Sequence, residues 1–182
     1  MPRSDARRNY ARILAVAEEE VAAHGADASL EQIARTAGVG SATVRRHFPS
    51  RRELLEAVFR QQVDALAARA RELAEAPDAR AALLDWLSAL TTYAATARGL
   101  ATALVRDDRS PAHACSATMT EVGVPLVRRA AEAGAVGPEV TAEDLIAVVT
   151  GVVLATEHHR DPAGEAQRLL ALAVRGISPV PA

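Results

Sequence analysis

An all-α fold follows from three features of the sequence. Alanine is abundant while aromatics make up only 3% of the 182 residues, which favours close-packed helices over sheets of β-branched and aromatic side chains. Apolar residues recur at three- and four-residue spacing through most of the chain, the period of a helix with one buried face. Ser, Thr or Asp stands ahead of several of these stretches with Glu, Gln or Asp three residues on, the arrangement that closes a helix start. Together they predict about nine helices, in a small N-terminal domain over 1–52 and a larger C-terminal domain over 53–182, joined by a long helix over about 50–74.

The first helix spans roughly 5–24 and places Tyr10, Ile13, Leu14, Ala17 and Val21 on one side before Gly25. The second starts at the N-cap Ser29, with Gln32 completing a capping box, and carries Leu30, Ile33, Ala34 and Ala37 on one face before Gly38. A third, short helix runs from Ser41 to about His47, because Pro49 disfavours helix at Phe48. Ser50 and Glu53 form a second capping box, opening a long helix with Leu54, Leu55, Val58, Phe59 and Leu66 buried.

Beyond Pro77, Asp78 caps a helix to about Thr96, followed by a separate short helical piece over 99–106. Residues 111–133 read as a helix that must kink or break at Gly123 and Pro125. After the loop "GAVGPEVT", Thr141 and Asp144 open a helix to about His159, and Asp161 caps a last one, Pro162 to Arg175.

Charge and cysteine content exclude several classes. Cys115 is the only cysteine, so neither an intrachain disulfide nor a cysteine-built zinc site can form. The adjacent His158 and His159 lie about 100° apart on a helix, a poor pair for one metal. No phosphate-binding loop, dinucleotide fingerprint, nucleophile elbow or His-Glu-x-x-His occurs. The expectation is therefore a non-enzyme with no cofactor and no metal. "MPRSDARRNYAR" has no apolar core of a signal peptide, and no uncharged run reaches membrane-spanning length, which points to the cytoplasm. Positive charge is carried by arginine alone, 10 in residues 1–60 against 8 acids and 11 in 61–182 against 15 acids.

The basic part comes to a focus in "AGVGSATVRRHFPSR", residues 37–51. On a helix from Ser41, Val44 and Phe48 point into the small domain, so Ala42 and Arg46 project outward with Thr43 and Arg45 beside them. Two short helices joined by a glycine turn, the second with a small, hydroxylated, cationic face, form a helix-turn-helix suited to the DNA major groove. Arg45 and Arg46 can fork onto guanine or clamp phosphate, and Ala42 can meet a thymine methyl. Ser41 opens this helix, and Thr43, His47 and Arg51 fall where phosphates would run. The rival reading is a helical protein–protein interaction module without DNA binding, whose charged segment meets an acidic partner.

"RILAVAEEEVAAHG" and "SLEQIARTAGVGSATVRRHFPSRRELLEAV" resemble the N-terminal domain of TetR-family transcriptional regulators, in order and over nearly the whole module from Tyr10 to Val58. The family pattern usually has an aromatic residue, often tyrosine, where this chain has Arg45, and commonly a lysine where it has Arg51. The resemblance implies a homodimer on a double-stranded DNA operator, with the last two helices of each protomer forming a four-helix interface. Ile146, Val149, Val152, Val153, Leu169, Leu170 and Ala173 would line it. It also implies a small-molecule effector enclosed by the middle helices. "YAATARGLATAL", 93–104, looks like a segment of one subgroup of the family.

Two residue patterns bear on these expectations independently. The apolar coverage of 145–154 exceeds what one amphipathic face needs. Trp86, Thr92, Tyr93, Thr96, His113, Cys115 and Met119 are the uncommon side chains of the middle helices, able to line an apolar pocket with a few polar contacts.

Overall fold

A computed structural model describes residues 3–24, 27–104 and 111–177, with side chains described over 5–24, 27–96 and 115–176. Eight helices and no strand occur among the described residues. They are α1 (Arg3–His24), α2 (Leu30–Thr36), α3 (Ser41–His47), α4 (Arg51–Leu73), α5 (Ala79–Leu104), α6 (Pro111–Glu132), α7 (Ala142–Thr156) and α8 (Pro162–Ile177). Two compact units divide the chain, one of residues 1–62 with 97–111 and the other of 63–96 with 112–182. The division falls inside α4 and not at 52/53, where the sequence suggested a boundary. Leu54, Leu55, Val58 and Phe59, in the first turns of α4, are all buried.

In the N-terminal unit, α1 buries Ile13, Leu14, Ala17 and Val21, α2 buries Ile33 and Ala34, and α3 buries Val44. Leu30 and Leu66, expected inside, are only half-buried. The turn between α2 and α3 depends on Gly38, whose φ of 63° lies in the left-handed region that glycine enters without steric cost. There the Gly38 N–H donates to the Arg35 carbonyl at 3.2 Å and the Val39 N–H to the Ala34 carbonyl at 3.0 Å, which satisfies the last carbonyls of α2.

The start of α2 departs from the sequence expectation. Ser29 Oγ accepts from the Gln32 N–H at 3.3 Å, as a capping box requires. The reciprocal arm comes from α1: the Ser29 N–H donates to Glu20 Oε1 at 3.3 Å, while Gln32 Nε2 turns to Thr36 Oγ1. Both arms of the Ser50–Glu53 box are made, at 3.1 and 3.2 Å. The far end of α4 is held from another helix, Arg129 donating to the Ala74 carbonyl and, at 2.6 Å, to the Ala76 carbonyl.

In the C-terminal unit, Asp78 Oδ1 accepts from the Ala81 N–H at 2.9 Å and opens α5. That helix continues to Leu104, so residues 99–104 extend α5 where a separate piece was expected, and eight helices stand among the described residues. A single glycine costs about 1 kcal/mol relative to alanine, too little to break a run whose other residues include Ala94, Ala95, Ala97, Leu100 and Ala101. α6 likewise runs through Pro125 without a break, because Val122, Leu126, Val127 and Ala130 around it are buried. It ends in a second left-handed glycine, Gly134, with φ 67°. Thr141 and Asp144 make both arms of their box, but α7 stops at Thr156, three residues before His159. α8 begins where Asp161 Oδ1 accepts from the Gly164 N–H at 3.0 Å.

Trp86, fully buried on α5, lies against the backbone of Gly123 on α6: a Cβ added there would sit 2.5 Å from Trp86 Cη2. α7 turns Leu145, Val149 and Val153 inward, and α8 turns Ala166 and Leu170 inward.

Two stability predictions follow. Gly123→Ala overpacks a rigid indole and should destabilise by about 1–3 kcal/mol, read as a lower urea midpoint with an unchanged slope. Glu20→Ala should cost about as much as Ser29→Ala, near 1 kcal/mol, while Gln32→Ala should stay within about 0.5 kcal/mol of the parent. Equal losses at Gln32 and Glu20 in thermal unfolding would contradict the interhelical cap.

Candidate nucleic-acid interface

α3 begins at Gly40, which caps it with extended backbone and no side chain. The Thr43 and Val44 N–H groups donate to its carbonyl at 2.8 and 3.2 Å. Val44 is 1% exposed and Phe48 2% exposed, so the apolar side of this rod of about two turns is wholly inside. Ser41, Ala42, Arg45 and Arg46 are exposed, while Thr43 and His47 are half-buried at the flanks. The structure thus places the predicted outward set on one surface. Arg51, at the start of α4, is exposed in the same unit.

The electrostatics of this surface are uneven. Arg51 pairs with the fully solvated Asp27 at 3.5 Å, and Arg52 with Glu56 at 2.8 Å one turn along α4. Arg45 and Arg46 have neither a hydrogen-bond nor an ion-pair partner among the described residues. Two adjacent guanidinium groups, each with five donors in a planar fork, therefore stand in solvent with Ala42 and Ser41 beside them. Such a face can meet paired acceptors on base edges or phosphate oxygens.

One contributor escaped the sequence reading. Tyr10 belongs to the apolar stripe of α1 by spacing, yet it is 39% exposed. Its ring meets His47 edge-on at 5.9 Å and Phe48 at 5.1 Å, so it holds the C-terminal end of α3 from outside the core. Spacing gives the face of a helix, and only the packing partner decides that Tyr10 lies at its rim.

Six of the seven pocket candidates have described side chains and separate into two groups. Trp86 and Met119 are fully buried, and Tyr93 and Cys115 are half-buried and interact electrostatically with each other. Burial pushes both the Tyr93 phenol and the Cys115 thiol above their ordinary values. Thr92 and Thr96 are exposed elsewhere: Thr92 Oγ1 accepts from Gln167 Nε2 of α8 at 2.8 Å, and Thr96 donates to the Thr92 carbonyl at 3.0 Å. His113 lies outside the described side chains.

Of the residues expected at a dimer interface, Val149, Val153 and Leu170 are buried within their own chain. Ile146, Val152, Leu169 and Ala173 are half-buried. Among the described residues, the large apolar side chains that α7 and α8 leave in solvent are Leu154, 49% exposed, and Leu172, 46% exposed. No group of three metal-ligating side chains, and no helix long and apolar enough to cross a membrane, occurs among the described residues.

Residues 13–58 match the family described as bacterial regulatory proteins, tetR family, and residues 78–179 match the C-terminal domain described as transcriptional regulator SbtR-like. A TetR transcriptional regulator from Streptomyces coelicolor is 33% identical over 94% of this chain and 99% of its own, with a TM-score of 0.78. A TetR regulatory protein from Mycobacterium vanbaalenii is 30% identical over 98% and 100%, with a TM-score of 0.75. A TetR-family regulator from Agrobacterium tumefaciens shares the fold at 18% identity and a TM-score of 0.71, over 96% of this chain and 100% of its own. No curated protein matches. With its two domains matched in order and two solved regulators alike over nearly their full length, the chain belongs to the TetR family of transcriptional regulators.

Proposed function

We propose that this protein is a ligand-responsive repressor, acting in the cytoplasm by binding and not by catalysis, which occupies a near-palindromic operator as a homodimer and leaves it when a small molecule binds. The observation that carries the reading is the pair of unpartnered guanidinium groups, Arg45 and Arg46, on the solvent side of α3. A positive charge without an acid beside it keeps its full attraction for phosphate and its donors for a base edge. Arg51 differs, because a phosphate must replace Asp27 at its side. Leu154 and Leu172 support self-association, since α7 and α8 leave them uncovered within one chain.

In such a dimer the two copies of α3 stand about 34–36 Å apart, one helical turn of DNA, to enter successive major grooves. An effector can empty the operator only to the extent that it binds the competing dimer conformation more tightly.

Selection from random duplex DNA should return an inverted repeat, whereas sequences without two-fold symmetry would overturn the dimeric reading. Binding should weaken steeply as salt is raised, through release of counterions from the contacted phosphates. Arg46→Ala should cost about 1–3 kcal/mol and relax preference at one base position, and Arg51→Ala should weaken all sequences alike and flatten the salt slope by about 1. Unaltered affinity of both variants in a fluorescence-anisotropy titration would move the interface off α3.

A further inference from the structure

The interior of the C-terminal unit contains a donor that its fold does not use. Trp86 Nε1 is buried and has no hydrogen-bond acceptor among the described residues. An indole N–H only donates, and left unpaired in an apolar interior it loses the full hydration it had in water. Its neighbour Thr91, equally buried, is satisfied by the Leu87 carbonyl at 2.8 Å.

The surroundings form a seam between α5 and α6, which pair in opposite directions. Gly123 faces Trp86 at one end, and Cys115 lies within electrostatic reach of Tyr93 at the other. Tyr93 lies seven residues beyond Trp86 on the same side of α5, about 10 Å along it at 1.5 Å per residue. Burial falls along that length, from Trp86, Leu90 and Met119 inside to the half-exposed Tyr93 and Cys115. Met119 lies midway on α6; its unbranched, rotatable side chain is the kind of filler that moves aside for another apolar group.

Among the described residues no cationic side chain acts on Tyr93 or Cys115: their shifts come first from burial and then from one another. A carboxylate entering here would lose its hydration without gaining a cation among the described residues, and an ammonium would meet the indole donor.

We infer that the seam between α5 and α6 takes an uncharged, apolar-bodied small molecule with a hydrogen-bond-accepting oxygen, which enters past Tyr93 and Cys115 and is received by the Trp86 N–H. This deepens the ligand-responsive reading above and rests on it for biological meaning, but the binding itself is measured without DNA. Failure to bind an operator therefore leaves the result below intact.

Trp86 is the only tryptophan, so its emission reports this site alone. The full chain is titrated with γ-nonalactone, with nonanoate and with propylbenzene, following both Trp86 emission and thermal unfolding. The lactone should raise Tm, shift the emission to the red, and bind at least about tenfold tighter than either other probe. In Trp86→Phe, followed by Tm, its advantage over propylbenzene should fall to about threefold or less. Equal binding of propylbenzene, preference for nonanoate, or no binding of any probe would overturn the inference. Should Trp86→Phe not fold, the parent chain decides: lactone binding without an emission shift refutes contact with the indole N–H.

Discussion

Everything at the DNA-facing end depends on two apolar side chains. A seven-residue helix has too few internal hydrogen bonds to persist in water, so α3 is held by burial of Val44 and Phe48, each worth about 1.5–3 kcal/mol. Against this stands the repulsion of two neighbouring exposed arginines, which in water is of order 1 kcal/mol or less. Because Arg45, Arg46 and His47 all fall in the last turn, the helix dipole offsets part of it, by about 0.3–1 kcal/mol per charge. Packing wins with room to spare, and the outward side is free to be cationic, small and unpaired.

What could be read directly from the chain is what neighbouring residues decide among themselves. α3 has the bounds its glycine, serine and proline dictate, and the Ser50–Glu53 and Thr141–Asp144 boxes close as written, because each involves residues three apart. The outward set of α3 follows from geometry once Val44 and Phe48 are assigned inward. Glu20 capping α2 was not legible, since nine residues and a change of helix separate it from Ser29. Nor was the length of α5: the sequence contains a weak stop, and only the whole run shows that helix propensity overrides it. Tyr10 failed for a related reason, the ring lying where an interior meets solvent.

The C-terminal pair of helices shows the same limit from the other side. Spacing marked α7 as apolar nearly all round, but could not say which residues its own chain would consume. Val149 and Val153 are used inward, and Leu154 is left outside. α8 is fixed on α5 by Gln167, which donates to the Ser88 carbonyl at 2.7 Å and to Thr92 Oγ1, and accepts from Ser88 Oγ at 3.1 Å. A side-chain amide that reaches across 79 residues to bond twice with one of them sets the register of α8 more narrowly than leucine packing would.

Pro125 and Arg129 sit one turn apart on α6, and their proximity has a mechanical result. Proline brings no N–H, so the Glu121 carbonyl lacks its helical rung and the rod flexes most cheaply there. Arg129 rides on the segment beyond that weak joint while gripping the carbonyls of Ala74 and Ala76. The C-terminal end of α4 is thereby tied to the part of α6 that lies beyond its missing rung.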